Sequence, residues 1–211
     1  MQMTHVEHGF GPVWDDKSQV LVLGSMPSPK SREMRFYYGH KRNRFWPVMA
    51  AVFHDDTCLC EGMDAESTVA ERRDFALRHH MALWDVIASC DIAGASDASI
   101  RNVVANDLAP LIGASHIDHI FTTGAKAAQL YRRLCVPALA RSGCRRPAMT
   151  QLPSTSPANA GMRLSDLIDA YTVVAQAAGG SSADCRAAAV VVSHHVHKHV
   201  AQHDLQPVIQ A

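Results

Sequence analysis

The sequence predicts an α/β protein in which a mainly parallel sheet lies between layers of helices. A strand-like run, a polar turn and a helical pattern follow one another three times, starting at residues 19–23, 117–121 and 149–152. The first of these runs is typical of a strand buried on both faces, because four of its five residues are aliphatic. A chain of 211 residues is also long enough for one domain with a substantial core.

The first part of the chain predicts an irregular entry segment, a strand, a loop and a helix. Residues 1–18 are polar, and the strand at 19–23 ends at Gly24, where a loop rich in serine and proline begins. Pro47 has no backbone N–H and therefore belongs in the first turn of a helix that begins one or two residues before it, near Phe45.

The middle of the chain predicts two helices, a strand and a second loop. Thr68 followed by Glu71 fits a capping box that opens a helix running to residue 77. Residues 81–87 predict a strand, and residues 94–99, which are small and polar, predict a loop at the rim of the sheet. A short helix is expected at residues 106–112.

The last part of the chain predicts two helices and sets the domain boundaries. A helix is expected at residues 125–134, and a closing helix at residues 164–178. We therefore expect the main domain at 19–178, preceded by the entry segment at 1–18. Residues 179–211 are interpreted as a Gly/Ser linker followed by a histidine-rich tail.

The charge of the chain is balanced overall but unevenly distributed. The formal net charge is zero, so no global field attracts the protein to DNA or to an anionic membrane. Residues 30–44 nevertheless carry six Lys/Arg and one Glu with aromatic residues among them, and residues 131–149 carry five Arg and no acid. Cations with interleaved rings are typical of nucleic-acid grooves, although a solvated charged loop is the alternative interpretation.

Targeting and cysteine patterns indicate a cytoplasmic protein. The amino terminus lacks a basic region followed by an apolar core, and the apolar runs are too short to span a membrane. We therefore expect the six cysteines to be free thiols. Because no Cys-x-x-Cys spacing occurs, a zinc ribbon or an iron–sulfur site is not predicted.

Three polar loops are expected to meet at one edge of the sheet. Residues 24–31, 122–124 and 152–159 each follow a predicted strand, and the carboxyl ends of parallel strands form the ligand-binding edge of an open sheet. Their small hydroxyls and backbone N–H groups suit phosphate binding. The glycine motifs of nucleotide hydrolases, dinucleotide-binding folds and serine hydrolases are absent.

Three motifs in these regions resemble those of a known family. They are Gly24-Ser25-Met26-Pro27-Ser28, then Tyr37-Tyr38-Gly39-His40-Lys41-Arg42-Asn43-Arg44-Phe45-Trp46, and then Leu152-Pro153-Ser154-Thr155-Ser156-Pro157-Ala158-Asn159. Together they are similar to the uracil-DNA glycosylase superfamily, and most of all to its hypoxanthine-DNA glycosylase branch, also called DNA-deoxyinosine glycosylase. The similarity spans residues 20–171 and includes residues 83–87.

This resemblance implies a fold, an activity and a partner. The fold would be a three-layer α/β/α arrangement around a four-stranded, mostly parallel sheet. The activity would be hydrolysis of the N-glycosidic bond of a flipped, deaminated base in DNA, either hypoxanthine or, as alternatives, xanthine or uracil. The resemblance implies no metal and no organic cofactor, double- or single-stranded DNA as the partner, no membrane association, and a monomer.

The resemblance also implies catalytic residues. The catalytic amide of the hypoxanthine branch matches Asn43, and the water-positioning loop of the superfamily matches Gly24–Ser28, where Ser25 is the candidate. Many members carry Asp, Asn or Glu in that loop, whereas this chain has only Ser25 and Met26 as candidates there. Leu152 stands where uracil-specific enzymes place a histidine, and Thr123 stands where relatives often have an asparagine.

The remaining candidate residues are expected to surround the base or to contact the DNA backbone. The expected base pocket consists of Gly24, Met26, Pro27, Phe36, Tyr37, Tyr38, His40, Phe45 and Thr123. The expected DNA-binding residues are Ser28, Lys41, Arg42, Pro153, Ser154, Thr155 and Ser156.

Several of these residues have structural alternatives. Asn43 could cap the following helix, and His40 could pack within its own loop instead of donating to the base. Ser25 and Ser154 could serve as turn residues, and Asp85 could either position water or cap a loop. A nucleic-acid-binding relative with weak catalysis is the alternative function, because the usual acid of the first loop is absent.

Two further groups of residues are expected to lie outside the chemistry. Trp46 and Trp84 are predicted to belong to the core. Among the tail histidines, which include His194, three would share one face of a strand and could hold zinc, namely His195, His197 and His199. Without accompanying carboxylates, a solvated tail is expected.

Overall fold

The computed structural model describes residues 3–94 and 96–179, which form seven strands and seven α-helices. In chain order these are β1 Thr4–Glu7, β2 Val20–Gly24, α1 Pro29–Met34, α2 Phe45–Phe53, α3 Ala65–Arg78, β3 Met81–Asp85, β4 Ile87–Ile92, β5 Arg101–Ala105, α4 Ala109–Gly113, β6 His119–Thr123, α5 Ala125–Leu130, α6 Val136–Ser142, β7 Ala148–Leu152 and α7 Leu164–Ala177. Short 3-10 turns occupy Asp56–Leu59 and Asp97–Ser99, and a π-helical turn, Tyr131–Cys135, joins α5 to α6.

The central sheet has four parallel strands in the order β3-β2-β6-β7. This confirms the predicted parallel sheet and its three strand–turn–helix units. Gly24 at the end of β2 is in register with Asp85 at the end of β3, and Thr123 at the end of β6 is in register with Leu152. The four strands therefore end at nearly the same level, and the residues that follow them share one edge of the sheet.

Both faces of this sheet are buried, as the aliphatic pattern of β2 predicts. Val20 and Val22 belong to the core on one face, and Leu21 and Leu23 to the core on the other, all fully buried. Helices α2, α3 and α7 cover the first face, and α4, α5 and α6 cover the second. Because each buried aliphatic side chain contributes about 1.5–3 kcal/mol, the two cores hold β2 firmly as the centre of a three-layer fold.

A second sheet, which the sequence did not reveal, is antiparallel and has the order β1-β4-β5. The prediction of an irregular entry segment is therefore wrong for Thr4–Glu7, which pair with β4 from Thr4↔Ile92 to Glu7↔Ser89. The reason is that β1 is short and mostly exposed, so its residues show no apolar alternation. Strand β4 was missed because only Val86 separates it from β3.

The helix beginnings show one confirmed prediction and one correction. Helix α2 begins at Phe45, as Pro47 predicts. Helix α3 begins earlier than the capping-box pattern suggests, because Asp64 is its cap and accepts a hydrogen bond from Ser67 N at 2.9 Å. Thr68 lies inside the first turn, where its hydroxyl donates to Asp64 O at 2.7 Å.

The second half of the chain differs from the prediction in two helices. Helix α4 is shorter than expected because Asn106 remains outside it and donates to Asp85 O and Ile87 O. The helix expected at 125–134 continues through the π-helical turn into α6. The closing helix α7 and the strand β7 agree with the prediction.

The described residues also bear on the cysteine and metal predictions. Five cysteines, Cys58, Cys60, Cys90, Cys135 and Cys144, are free thiols as predicted, and Cys185 lies outside the described residues. The histidines of the tail also lie outside them. Within residues 3–94 and 96–179, His, Cys, Asp and Glu form no cluster of three suited to a metal ion. Among these same residues, no helix combines the length and the apolarity that a bilayer span requires.

Candidate active site

A cleft of about 550 Å³ opens at the carboxyl edge of the parallel sheet. Its walls come from the ends of β2, β3 and β6 and from residues of the surrounding loops, within 24–32, 37–43, 92–97 and 154–159. The first and last of these loops are those that the sequence placed at this edge, as the strand polarity requires. The cleft is therefore the candidate functional site.

Gly24 leaves room at the floor of the cleft for a neighbouring carboxylate. A Cβ atom at this position would lie 2.2 Å from Asp85 Oδ1 and 3.8 Å from Thr123 Oγ1. Any side chain on Gly24 would therefore push the Asp85 carboxylate away from its present place. Thr123, on the other neighbouring strand, has its hydroxyl 3.4 Å from Leu23 O and from the Tyr38 hydroxyl.

Asp85 is paired with a histidine from the beginning of the chain. Asp85 Oδ2 lies 2.9 Å from His8 Nε2, and both residues are only 5 % exposed. Because a carboxylate can only accept, His8 Nε2 donates this hydrogen bond. His8 Nδ1 is buried without a partner among the described residues, and Asp85 Oδ1 accepts no hydrogen bond from them.

Sequence reasoning missed His8, and it left Asp85 open between two roles. His8 lies just after β1, where its backbone N–H donates to Ala88 O of β4 at 2.8 Å. The histidine reaches Asp85 only because the antiparallel sheet brings residue 8 beside residue 85. No local sequence pattern indicates this contact, since the two residues are 77 positions apart.

Asn43 lines the cleft and also accepts a hydrogen bond from the start of α2. Its backbone N–H donates to His40 O at 2.8 Å, and its side-chain Oδ1 accepts from Phe45 N at 3.0 Å. The N-cap residue of α2 is Arg44, so Asn43 is not the cap itself, although its carbonyl half is bonded to the first N–H of the helix. The NH2 half makes no hydrogen bond within the described residues and remains available to a molecule in the cleft.

Arg44 joins the two motif loops instead of facing DNA. Its guanidinium donates to three backbone carbonyls, those of Met162, Ser156 and Asn159, and its backbone N–H donates to Thr155 O. The prediction that residues 30–44 present six cations to a nucleic acid is wrong for this one. The arginine ties the loop after β7 to the residues that precede α2.

The aromatic residues of the second motif divide between the cleft and the core. Tyr38 lines the cleft and stacks on Phe45 at a centroid distance of 3.7 Å, which leaves Phe45 fully buried beneath it. Phe36 stacks against Trp46 and is 1 % exposed. The prediction that Phe36 and Phe45 line the base pocket is therefore wrong, whereas the prediction of a core Trp46 is confirmed.

Tyr38 is held in an unusual conformation at the cleft wall. Its φ of 52° lies in the left-handed region, which is uncommon for an aromatic residue. Burial, followed by the negative charge of Asp85, raises the pKa of the Tyr38 hydroxyl well above its usual range. Tyr38 therefore remains a neutral ring with a hydrogen-bonding hydroxyl at any physiological pH.

Two other residues of the second motif serve the loop itself. Tyr37 reaches the cleft wall but is 2 % exposed, and its hydroxyl donates to Gly11 O at 2.9 Å. His40 does not line the cleft, and its Nδ1 accepts from Arg42 N at 3.1 Å. Of its two interpretations, the packed loop histidine is the one that agrees with the structure.

The first motif loop lines the cleft and connects to the opposite rim. The Ser25 hydroxyl donates to Asp97 Oδ1 at 3.0 Å, and Met26 and Pro27 line the wall beside it. Ser28 Oγ accepts from Ser31 N at 3.2 Å and so caps α1. Loss of hydration of its carboxyl group raises the pKa of Asp97. The hydrogen bond from Ser25 and the positive charge of Lys126 lower this pKa, and the negative charge of Asp85 raises it further.

The loop after β7 presents its serines to the cleft. Ser154 Oγ accepts from Ser156 N at 3.2 Å, and both serines line the wall. Thr155 also lines the wall, but it is only 1 % exposed, so its side chain offers almost no surface to DNA. Pro153 does not line the cleft, and its carbonyl accepts from the Tyr171 hydroxyl at 2.7 Å.

The two basic clusters lie at opposite edges of the parallel sheet. Lys41 and Arg42 are exposed beside the cleft, although neither lines it. Arg145 and Arg146 immediately precede the amino end of β7, which is the other edge. Arg145 is also engaged there, donating to Ile112 O and Ser115 O. Only the first cluster can meet a ligand bound in the cleft.

Comparisons with known proteins agree with this architecture. The profile of the Uracil DNA glycosylase superfamily matches residues 12–175. A hypoxanthine DNA glycosylase of Methanosarcina barkeri is 32% identical over 106 residues, which are 50% of this chain and 62% of that protein. Another of the same name from Methanosarcina acetivorans is 29% identical over 107 residues, covering 50% and 63%. This chain thus aligns with less than two thirds of the length of these relatives.

A solved structure is similar over a larger part of the chain. It is a solution NMR structure of a candidate uracil DNA glycosylase from Methanosarcina acetivorans, 26% identical, with a TM-score of 0.59. The alignment covers 81% of this chain and 98% of that one. The profile match spans most of the sequence and includes every loop that walls the cleft. The chain belongs to the uracil DNA glycosylase superfamily.

Proposed function

We propose that this protein is a DNA glycosylase that hydrolyses the N-glycosidic bond of a flipped, deaminated base, with hypoxanthine as its preferred substrate. The family and the names of the two curated relatives support this proposal. The observation that carries it is the orientation of Asn43, whose carbonyl is occupied by Phe45 N while its NH2 group stays available to the cleft.

The NH2 donor of Asn43 is suited to bond the carbonyl group that deamination creates on a base. Deamination of adenine replaces an exocyclic NH2 donor with a carbonyl acceptor, so an Asn43 NH2 group can bond hypoxanthine but meets a second donor on adenine. A good hydrogen bond of this kind discriminates between bases by about 1–3 kcal/mol. Xanthine and uracil also carry a carbonyl formed by deamination, so they are the alternative substrates.

The same donor assists bond cleavage. Breaking the N-glycosidic bond leaves negative charge on the departing base and positive charge on the sugar, and a preorganised donor beside the base stabilises the former. Leu152, which stands where uracil-specific enzymes place a histidine, is 3 % exposed and offers no donor. Asn43 is accordingly the donor assigned to the leaving base.

Single-turnover excision from oligonucleotides containing hypoxanthine, xanthine or uracil tests the proposal. Asn43→Asp keeps the acceptor for Phe45 N but replaces the NH2 donor with an oxygen, so we expect excision to fall by about 10²-fold or more. Gln129→Glu is the matched control, because it makes the same amide-to-acid change at an exposed position of α5 outside the cleft. It should excise at the wild-type rate.

The outcomes separate the proposal from its alternatives. Hypoxanthine release that is lost in Asn43→Asp and retained in Gln129→Glu would support both the substrate and the residue. Release of uracil that survives Asn43→Asp would overturn the assigned role. DNA binding without release of any base would instead favour a nucleic-acid-binding protein. Duplexes with I·T and I·C pairs and single strands should be compared, since flipping is easiest from a mismatch.

A further inference from the structure

The first motif loop lacks an acidic residue, yet a carboxylate lies directly beside it. Asp85 belongs to β3, but its register places it next to Gly24, and its Oδ1 occupies the space that a side chain at Gly24 would take. The neighbouring strand therefore contributes an acid beside a loop that carries none of its own. This follows from strand pairing and from the missing Cβ of Gly24.

The two oxygens of this carboxylate have different surroundings. Oδ2 is 2.9 Å from His8 Nε2, inside the protein, whereas Oδ1 accepts no hydrogen bond from the described residues and Asp85 lines the cleft. A buried carboxylate with one oxygen fixed and the other turned to a polar cleft is suited to holding a water molecule. Asn43 lies on the wall of the same cleft.

Asp97 is a second carboxylate in the cleft and is less suited to this role. It lies on the exposed rim, and its Oδ1 already accepts from the Ser25 hydroxyl at 3.0 Å. Asp85, by contrast, is 5 % exposed and has a single buried donor that fixes its orientation. The other ionisable groups that face Asp85 are the hydroxyls of Tyr37 and Tyr38.

We propose that Asp85 is the catalytic base that orients and deprotonates the attacking water, and that His8 is the positioning residue that holds its carboxylate. This inference rests on the proposed glycosylase function. The water oxygen forms a bond to C1′ of the sugar while the bond from C1′ to the base nitrogen breaks. The bonding electron pair leaves with the base, and the water proton passes to Asp85 Oδ1 and then to solvent.

His8 lies outside the region that the family profile matches, because that region begins at residue 12, and yet it contacts Asp85 of the site. The contact depends on the pairing of β1 with β4, so the short antiparallel sheet has a role in positioning the catalytic group. The hydrogen bond from His8 Nε2 also offsets part of the cost of burying the carboxylate.

The test is single-turnover excision of hypoxanthine by wild type, Asp85→Asn, His8→Leu and His8→Gln. Loss of a general base costs about 10²–10⁴-fold in rate, so Asp85→Asn should lose at least 100-fold while its affinity for an abasic-site duplex stays within twofold. His8→Leu should lose about 10-fold, and His8→Gln, which retains an N–H donor, should recover part of that rate. The acid limb of the pH–rate profile should disappear in Asp85→Asn.

Each outcome bears on the inference. An Asp85→Asn protein that excises at the wild-type rate with an unchanged acid limb overturns it, even though the glycosylase activity stands. Absence of excision by the wild type overturns the proposed function itself. If Asp85→Asn fails to fold, Gly24→Ala decides the question. Its added Cβ displaces the Asp85 carboxylate, so a 10-fold or greater loss of rate supports the inference and an unchanged rate overturns it.

Discussion

The two edges of the parallel sheet contain similar residue types but use them differently. At the carboxyl edge, Asn43 and Asp85 line the cleft, and the NH2 group of the first and Oδ1 of the second make no hydrogen bond within the described residues. At the amino edge, the Asp55 carboxylate is bonded by Arg78 and His79, which immediately precede β3.

The comparison of the two edges shows which polar groups are available to bind a ligand. A buried or half-buried polar group that is fully bonded within the protein stabilises the fold, whereas one with an unused donor or acceptor in a cleft can bind a ligand. We therefore expect changes at the carboxyl edge to reduce excision more than stability, and changes at the amino edge to do the reverse. Three predictions test this contrast, from the largest expected effect to the smallest.

The largest effect is expected at Arg44, which belongs to the carboxyl edge but donates three hydrogen bonds within the protein through its two terminal nitrogens. Arg44→Met leaves the carbonyls of Ser156, Asn159 and Met162 without their donor. Because hydrogen bonds to a charged group contribute about 1.5–3 kcal/mol each and some carbonyls regain water, we expect a loss of about 2–4 kcal/mol in the free energy of unfolding. Chemical denaturation measures it.

The neighbouring exposed Arg42 provides the control for Arg44. Arg42→Met removes an equal charge from a side chain without protein hydrogen bonds among the described residues, so its effect on stability should be below about 0.5 kcal/mol. Excision by Arg44→Met should also fall, since the loop at 154–159 would lose its attachment. Equal stabilities of the two variants would contradict the proposed attachment of the loops.

An intermediate effect is expected at Asp55. Burial raises the pKa of this carboxyl, but hydrogen bonds from Thr57, Arg78 and His79 outweigh that effect and hold the pKa well below its usual range. A depressed pKa stabilises the folded state above the unfolded pKa of about 3.9, and that stability is lost as the pH falls further. Asp55→Asn should therefore cost about 1–2 kcal/mol at pH 7 and progressively less below pH about 4.

Thermal unfolding of Asp55→Asn across this pH range measures the effect. Asn retains one oxygen that can cap the following 3-10 turn, but its NH2 group replaces the Oδ2 that accepts from Arg78 and His79, so the substitution removes the charge together with those hydrogen bonds. Asp56→Asn, at the exposed neighbouring position without ion pairs among the described residues, is the matched control and should change little. A stability difference that stays constant with pH would refute the charge argument. Excision by folded Asp55→Asn should equal that of wild type.

The smallest effect is expected at the exposed cations. Lys41→Glu with Arg42→Glu should weaken DNA binding by about 1 kcal/mol and reduce the slope of log affinity against log salt by about 2. Arg141→Glu with Arg146→Glu makes the same charge change at the end of α6 and near the amino end of β7. Fluorescence anisotropy should find this pair nearly neutral, and an equal loss in both pairs would remove the distinction between the two basic clusters.

Strong local signals account for what could be predicted of the fold and the site. The aliphatic run at 19–23 and the proline at 47 indicated a buried strand and a helix start, and both are present. The loops after β2, β6 and β7 could be brought together because parallel strands end at one edge. Ser25 and Ser154 were predicted for this edge on the same basis, Asn43 was predicted from the family resemblance, and all three line the cleft.

Local signals could not determine which way each side chain points. Phe36 and Phe45 belong to an aromatic motif, but helix α2 and its core take them away from the cleft. Arg44 looks like any other cation of its segment, and only the folded loop at 154–159 shows that its guanidinium is engaged. Thr155 is buried for a similar reason. Such orientations depend on neighbours that are distant in the chain.

The sequence by itself determined the α/β class, the parallel order of strand, loop and helix, and the edge at which the polar loops meet. These features depend on hydrophobic periodicity and on the backbone preferences of proline and glycine, which act over a few residues. The tertiary structure alone decided the pairing of His8 with Asp85, the separation of the two basic clusters and the second sheet. These features arise from contacts between residues far apart in the chain, for which a single sequence carries no local signal.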